Sequence, residues 1–483
     1  MVMQTILEPQ RSIEVASEVD VVVVGGGPSG VCAAIGAARS GARVALIERM
    51  GFLGGSATSA MVASLVGYYR GTEELVTGGV GYDIVRRVME AGGSRGFWLQ
   101  MHGASTGTPI PLYSFPFEPE IMKKVLDDMV CEAGIDLWLH TQASDPLIVD
   151  GKLAGVIVQG RYDRKAILAK TVVEAGADGL MARKLGCKVE NADQDPRSRQ
   201  PMSLMMRIGG ADGMIYRALP GPEKQAIVRR GFEAGILPSK LLAMISAPNE
   251  GDAFILTTRI PGWDGADERD LTQAELAGRA QVFPIVDFLR KEVPGFEKCY
   301  LASLAPTIGI RETWRIVGDY VLEKEDVMVG RQFPDNIAQG GGPLDIHHTS
   351  GGGLTLYHPE APFAIPYRCL LPLGVEGLLI TGRCASATED AMGALRSMPP
   401  CMAIGHAAGV AASLAAQAGL SPRQLDVADV QRELKKQGAV IDQPRGIATV
   451  EYMAPGQRPY QPAPAQPAAG AGAAPMPSPV AGA

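Results

Sequence analysis

The chain has 483 residues, with 45 Lys plus Arg against 52 Asp plus Glu, a formal charge of −7. This mildly acidic balance excludes a dedicated nucleic-acid binder, which needs a basic footprint to displace counterions. A composition 46% hydrophobic and 20% charged excludes a largely disordered chain, and the length fits two or three domains or one large enzyme with interleaved parts.

Residues 1–17 read as a loose leader, with acidic residues and no long apolar core, unlike a secretory signal. From Val19 the run VDVVVV is continuous and β-branched, the pattern of a strand buried on both faces in a parallel sheet. It ends in Gly25-Gly26-Gly27-Pro28-Ser29-Gly30. A small-residue helix is predicted over Val31–Ser40 and a second strand over Arg43–Ile47, closing at Glu48, which completes a βαβ unit. Helical patterns follow over Gly81–Glu90 and Glu118–Ala133. Short strands are predicted over Asp136–Leu139, Pro146–Val149 and Gly155–Gln159, and Thr171–Glu174 runs into a glycine turn at Ala175–Gly179. Residues 200–300 alternate strand-like and helical patches without a clear motif. A glycine-heavy loop is expected over Gly340–Gly353, then a strand over Gly377–Thr381 that meets Gly382. A helix is predicted after Pro399-Pro400; its apolar stretch, Cys401–Ala416, reads as too short and too polar to span a bilayer. Residues 421–453 read as a C-terminal helical segment. In 454–483, 22 of 30 residues are Pro, Ala or Gly, so a disordered tail is expected. The seven cysteines form no C-x-x-C pair, which speaks against a zinc ribbon or a dithiol motif and fits a reducing cytoplasm.

The segment Gly25-x-Gly27-x-x-Gly30 follows a strand, opens a helix and is trailed by an acid at the end of the next strand. Gly25 permits the tight turn, Gly27 lets a pyrophosphate approach the backbone, and Gly30 lets helix and strand pack closely. The diphosphate would then meet free N–H groups at the positive end of the helix, and Glu48 would accept ribose hydroxyls. This fingerprint does not separate FAD from NAD, but four features favour FAD. A second glycine turn, Gly51-Phe52-Leu53-Gly54-Gly55-Ser56-Ala57-Thr58, follows Glu48 and Arg49. The turn at Ala175–Gly179 could pack beside the adenine end. The strand ending at Gly382 offers a place for the ribityl chain. A helix starting near Cys401 presents a dipole end to the flavin N1/O2 edge.

With these pieces the chain resembles the flavoprotein superfamily that has a glutathione-reductase-like FAD domain, and more narrowly the FAD-dependent oxidoreductases with a G-G-x-x-T segment. The resemblance rests on Val21–Glu48, Gly54–Thr58, Ile308–Asp319, Pro343–His347, Ile365–Leu371 and Leu378–Met402, and spans roughly residues 18–420. It implies non-covalent FAD and redox chemistry. The residues expected at the cofactor are Gly25, Gly27, Pro28, Ser29, Gly30, Glu48, Arg49, Gly54, Gly55, Ser56, Thr58, Ala143, Ala175, Gly176, Gly382, Arg383 and Met402. The chain departs from the pattern where Arg383 follows Gly382 in place of the Asp of many flavoproteins, and where Ala175-Gly176-Ala177 replaces a common Ala-Thr-Gly turn. One nucleotide fingerprint is present, so electrons are expected to pass to or from something that docks at the flavin.

Three residues are candidates for the chemistry. Arg311, in Arg311-Glu312-Thr313-Trp314-Arg315, leads into an expected helix and could clamp a carboxylate bidentately or brace the FAD domain in an Arg–Glu pair. His347, at the end of Pro343–His347, is a general-base candidate; its neighbour His348 reads as a solvated loop residue. Arg396 lies just before the last helix and could hold substrate, the pyrimidine edge of the flavin, or a buried salt bridge. Cys401, near a helix N-terminus, is expected to have a lowered thiol pKa. No metal site is expected, because His347, His348 and His358 lack helical ligand spacing.

The reading that results is an α/β fold. It is a glutathione-reductase-like FAD/NAD(P)-binding Rossmann domain, three-layered with a mostly parallel sheet, assembled from 18–70, 130–200 and 365–420. An inserted α+β substrate or cap region comprises 71–129 and 201–364. The expected activity is hydride transfer between flavin N5 and a small-molecule substrate, with an external electron donor or acceptor or dioxygen as second partner. No nucleic acid and no membrane span are expected; the setting is read as cytoplasmic, with a homodimer possible. The alternatives are a flavin-dependent monooxygenase and a protein whose flavin is structural.

Overall fold

The computed structural model describes residues 6–71, 74–102, 110–350 and 352–443; the tail expected at 454–483 lies outside the described residues, as does 444–453. The largest sheet has seven strands: β1 (Glu14–Val24), β2 (Val44–Ile47), β3 (Asp136–Trp138), β4 (Gln142–Val149), β5 (Lys152–Gln159), β6 (Arg164–Glu174) and β7 (Leu378–Ile380). Their spatial order is β3-β2-β1-β6-β5-β4, with β7 beside the end of β6. β3, β2, β1, β6 and β7 are parallel, while β4 and β5 turn back as an antiparallel meander. Val21, Val22 and Val23 are wholly buried, as a strand covered on both faces requires. β1 begins at Glu14, inside the segment read as a leader. The reason is β6, whose first half needs a partner along its β1 side: Glu14 pairs with Lys165 and Val15 with Ala166.

Two helices pack on one another against this sheet, α1 (Pro28–Arg39) and α2 (Met398–Ala418). A Cβ at Gly405 would lie 2.1 Å from the carbonyl oxygen of Ser29, and one at Gly409 would lie 1.9 Å from that of Ala33. Two missing side chains on α2 thus let the backbones touch, and the alanines of α1 fill the rest of the contact. α2 starts at Met398, ahead of the two prolines expected to precede it. Pro399 and Pro400 sit in its first turn, where the absent N–H groups would have had no intrahelical partner. At 21 residues α2 is, by length and composition, able to cross a bilayer, so the expectation of a stretch too short does not hold. Most of it is buried inside the protein, and it serves as a core helix.

A second hydrophobic core gathers around a four-stranded antiparallel sheet ordered Met244–Ser246, Asp252–Ile255, Met206–Gly209 and Tyr300–Leu304. The long helix Glu268–Glu292 covers it with Ile285, Phe288 and Leu289. Asp267 caps that helix by accepting from the N–H groups of Arg269 and Asp270. The loop expected over Gly340–Gly353 is largely hairpin: Leu344–His347 pairs with Leu354–Tyr357.

Candidate active site

β1, β2, β6 and β7 end at one edge of the sheet. Val24 lies opposite both Ile47 and Glu174, and Glu174 lies opposite Ile380. The loops that follow these strands converge there, which is where open parallel sheets bind ligands. Gly25 turns with φ +100°, and a Cβ on it would be 2.8 Å from the Ala175 carbonyl oxygen. Glu48 is buried and accepts from Gly26 N at 2.8 Å and from Met50 N at 2.7 Å. Each of its oxygens keeps a lone pair for another donor. The second glycine turn lies on the first: Gly54 N donates to Gly26 O at 2.8 Å, and Gly55 packs on Gly27. Ser29 Oγ and Thr381 Oγ1 are 2.8 Å apart.

These residues fit a dinucleotide. A Cβ at Gly27 would meet nothing closer than Gly55 Cα at 3.9 Å, so the backbone opening α1 faces open space. That space is a cavity of about 1710 Å³ lined by Gly25, Gly27, Pro28, Ser29, Glu48, Arg49, Gly55 and Ser56. Ala143, Ala175, Gly176, Gly382 and Arg383 line it as well. A single small-molecule pocket holds roughly 300–1,000 Å³, so the cavity has room for two ligands side by side.

Four of the expected contacts fall elsewhere. Gly30 is enclosed, since a Cβ there would be 1.7 Å from Gly25 O. Gly54 holds the left-handed turn, φ +109°, and Thr58 is buried, donating to Leu53 O at 2.6 Å. Met402 is buried with its sulfur accepting from Tyr68 Oη at 3.2 Å. All four shape the loop or the core without reaching the cavity wall. Arg383 is answered by Asp178, 2.7 Å from its Nη2, while Nη1 donates to Thr313 Oγ1 at 2.8 Å; the arginine at this position brings its carboxylate from the neighbouring turn. Below that turn Glu174 is wholly buried and accepts from Gly176 N and Met181 N. Burial pushes its carboxyl up to about 7.

The three candidates for chemistry meet in space around a fourth residue, Asp345. Its Oδ2 is 3.3 Å from His347 Nε2 and 3.4 Å from Arg396 Nη2. Arg396 Nη2 also donates to the Asp345 carbonyl at 2.5 Å and to Gln200 Oε1 at 3.3 Å. Gln200 Oε1 in turn accepts from His347 N at 3.1 Å. Arg311 stands close by and is anchored through Nη1 to Pro201 O and to Ser203 Oγ, the latter at 2.8 Å. Arg311, Asp345, His347 and Arg396 line the same cavity as the dinucleotide cradle, together with Ser397, Met398 and Cys401 at the start of α2. Burial would raise the Asp345 carboxyl, but His347, Arg396 and Arg311 together hold it well below the usual range. Burial, and then the Arg311 charge, bring His347 down to about 4 against the opposing pull of Asp345. Burial and the neighbouring Arg396 bring Arg311 down to about 9, which leaves it charged at neutral pH.

Three expectations are corrected here. No helix begins at the Arg311–Arg315 stretch; the chain runs on as loop and isolated bridges until the short helix Lys324–Met328. The Arg–Glu pairing is made by Arg315, with Glu312 and with Glu190 at 2.6 Å, which leaves Arg311 for the cavity. Cys401 is pushed up to about 12 by burial, which outweighs the opposing pull of Arg383 and Arg396. His348 bonds Thr355 Oγ1 at 2.6 Å. Asp345, Gln200 and Ser203 join the site without standing in any of the sequence motifs above except Pro343–His347, which contains Asp345. Asp345 had a signal: in the strand Leu344–His347 it is two residues from His347 and so shares its face.

Fold and site together define an FAD-binding oxidoreductase. The chain belongs to the FAD dependent oxidoreductase family, whose model matches residues 20–434. It is similar to a digeranylgeranylglycerophospholipid reductase of Methanocella arvoryzae, 29% identical over 168 residues, 35% of this chain and 41% of that one. The match therefore spans about two fifths of the relative's length. Among solved structures it resembles a geranylgeranyl bacteriochlorophyll reductase-like protein of Thermoplasma acidophilum, at 16% identity and TM-score 0.44, over 88% of this chain and 84% of that one. It also resembles the flavin-dependent brominase Bmp2, at 14% identity and TM-score 0.45, over 87% and 84%. The fold is that of an FAD-dependent oxidoreductase, with a parallel-rich sheet and several smaller ones.

Proposed function

We propose that this enzyme transfers hydride between flavin N5 and a small organic substrate bound beside Arg311, His347 and Arg396. The observation that carries this reading is the continuity of one cavity from the Gly27–Ser29 cradle to the Asp345 cluster. When bound, FAD supplies a two-electron donor or acceptor that the side chains of this chain lack. The residues would do the rest. The amides opening α1 take the diphosphate, Glu48 the ribose, and the turn Ala175–Gly176 with Ala143 the adenine end. Arg311 and Arg396 orient the substrate. His347, neutral at pH 7 and turned by Nε2 toward Asp345, has Nδ1 left to hold a substrate proton as hydride leaves the neighbouring carbon. In the opposite direction the same nitrogen returns it.

The finer scaffold reading, a glutathione-reductase-like FAD domain with an inserted cap, is supported by the single βαβ fingerprint unit and by the separate antiparallel sheet with its own core. A second electron partner from outside, or dioxygen, completes the cycle in this reading. The unpaired state of Cys32, Cys187 and Cys369 is consistent with a reducing, cytoplasmic setting.

The test is a screen of candidate substrates and reductants that follows flavin bleaching without oxygen, repeated with Arg311→Ala, His347→Ala and Arg396→Ala. His347→Ala should slow bleaching by about 100-fold. Variants that all bleach at the parent rate would remove these residues from the chemistry, and a flavin that nothing bleaches would favour a structural role for it.

A further inference from the structure

We infer that the substrate is an organic monocarboxylate whose carboxylate group docks between Arg311 and Arg396. The inference rests on the proposed function and names the class of molecule that the same site takes. It starts from a charge imbalance. Arg311 and Arg396 line the cavity with one carboxylate between their segments, Asp345, so two guanidinium groups meet one carboxylate, and His347 beside them is neutral. Buried charge left unpaired is costly, and a site that keeps it is built to receive the opposite charge.

The geometry of the donors points the same way. Arg311 is fixed through Nη1; among the described residues its Nε and Nη2 have no partner. Arg396 is fixed through Nη2 to Asp345 and Gln200, and its Nε is buried without a partner. Arg311 is therefore held at one corner and keeps its Nε and Nη2 edge, the planar fork that receives a carboxylate on two bonds; Arg396, whose Nη2 is spent on Asp345 and Gln200, adds its positive charge and its remaining Nη1 beside it. Asp345 stands 3.4 Å from Arg396 and would repel a dianion, so one negative charge suits the cluster better than two. The cavity wall also includes Leu242, Ile245, Leu256, Leu354 and Leu356, which offers apolar surface to a body attached to that carboxylate.

The experiment is a titration of the purified FAD-loaded protein with benzoate, benzamide and inorganic phosphate, following the visible absorbance of the flavin. The FAD content per chain is measured in the same samples. Benzoate should give a saturable change, and benzamide, of the same shape without the charge, should bind roughly ten-fold more weakly or less. Arg311→Gln and Arg396→Gln should each weaken benzoate by about ten-fold or more while FAD content stays at the parent level; Arg311→Lys, which keeps charge but not the fork, should recover only part of the loss. Benzamide binding as tightly as benzoate overturns the inference without any variant, and so does phosphate binding more tightly. An unchanged benzoate affinity in both Gln variants, with a shifted flavin spectrum or reduction potential, assigns the arginines to the flavin ring and also overturns it. A parent protein that holds no FAD defeats the proposed function itself, so the two failures are told apart by the FAD content.

Discussion

Ser29 Oγ and Thr381 Oγ1 lie 2.8 Å apart although 352 residues separate them in the chain. The bond ties the first turn of α1 to the end of β7, and both residues are buried. Ser29 also lines the cavity, so the bond aims its hydroxyl and ties the two walls of the cradle together. Thr381→Val removes the partner while keeping the shape. About 1 kcal/mol is expected to be lost, read as a roughly five-fold weaker FAD affinity by calorimetric titration of the apoprotein.

Gly27 and Gly30 belong to one motif and should respond in opposite ways to the same change. A Cβ at Gly30 would be 1.7 Å from Gly25 O, a contact with backbone that cannot move aside, so Gly30→Ala should destabilise the loop by several kcal/mol, roughly 3 or more. Gly27 has φ −72° and open space ahead of it. Gly27→Ala should therefore leave the melting temperature of the apoprotein unchanged and weaken FAD by about ten-fold or more, through a methyl placed where the diphosphate comes in. Thermal melts with and without FAD separate the two outcomes.

His347 makes stability depend on pH with a definite sign. Its folded pKa is near 4 against an ordinary value of 6.5, so between these values the unfolded chain binds the extra proton. Stability must then fall as pH drops through that window. His347→Gln removes the effect, and relative to the parent it should gain about 2 kcal/mol on going from about pH 7 to about pH 5. His406, also near 4, acts with the same sign. Glu174, raised from 4.5 to about 7, acts with the opposite one, losing stability as pH rises through 7. Both are present in parent and variant and cancel in the difference. Urea unfolding of the two proteins at the two pH values measures it, and a difference independent of pH would contradict the burial of a neutral His347.

Gly409 tests the contact between α1 and α2. A Cβ there would stand 1.9 Å from Ala33 O, so Gly409→Ala should push the helices apart and destabilise by roughly 1–3 kcal/mol or more. Because α1 carries the cradle, FAD affinity should fall along with the melting temperature, unlike the Gly27→Ala case, where it falls alone.

Much of the cradle could be read in the residues themselves. The VDVVVV run, the three glycines and Glu48 are local, and local chemistry decided where the turn, the helix start and the acid would lie. The expected cofactor residues that lie off the cavity wall do so for a reason of another kind. Thr58 and Met402 stand next to residues that line the cavity, yet face Leu53 and Tyr68, and no spacing rule states which way a loop residue turns. The cluster around Asp345 is the opposite case. Arg311, His347 and Arg396 are each legible singly, but they meet only because a hairpin carrying Asp345 and a buried Gln200 bring them together. Gln200 and Ser203 come from a stretch with no motif, since their roles are set by partners more than a hundred residues away. The start of β1 at Glu14 was missed likewise: its pairing partner is Lys165.

The most direct test is a crystal structure of the protein saturated with FAD. Electron density should place the diphosphate against the backbone amides of Gly27 to Ser29, a ribose on Glu48, and the isoalloxazine ring in the part of the cavity bounded by Arg311, His347 and Arg396. A diphosphate bound away from α1, or a ring lying far from those three side chains, would contradict the account.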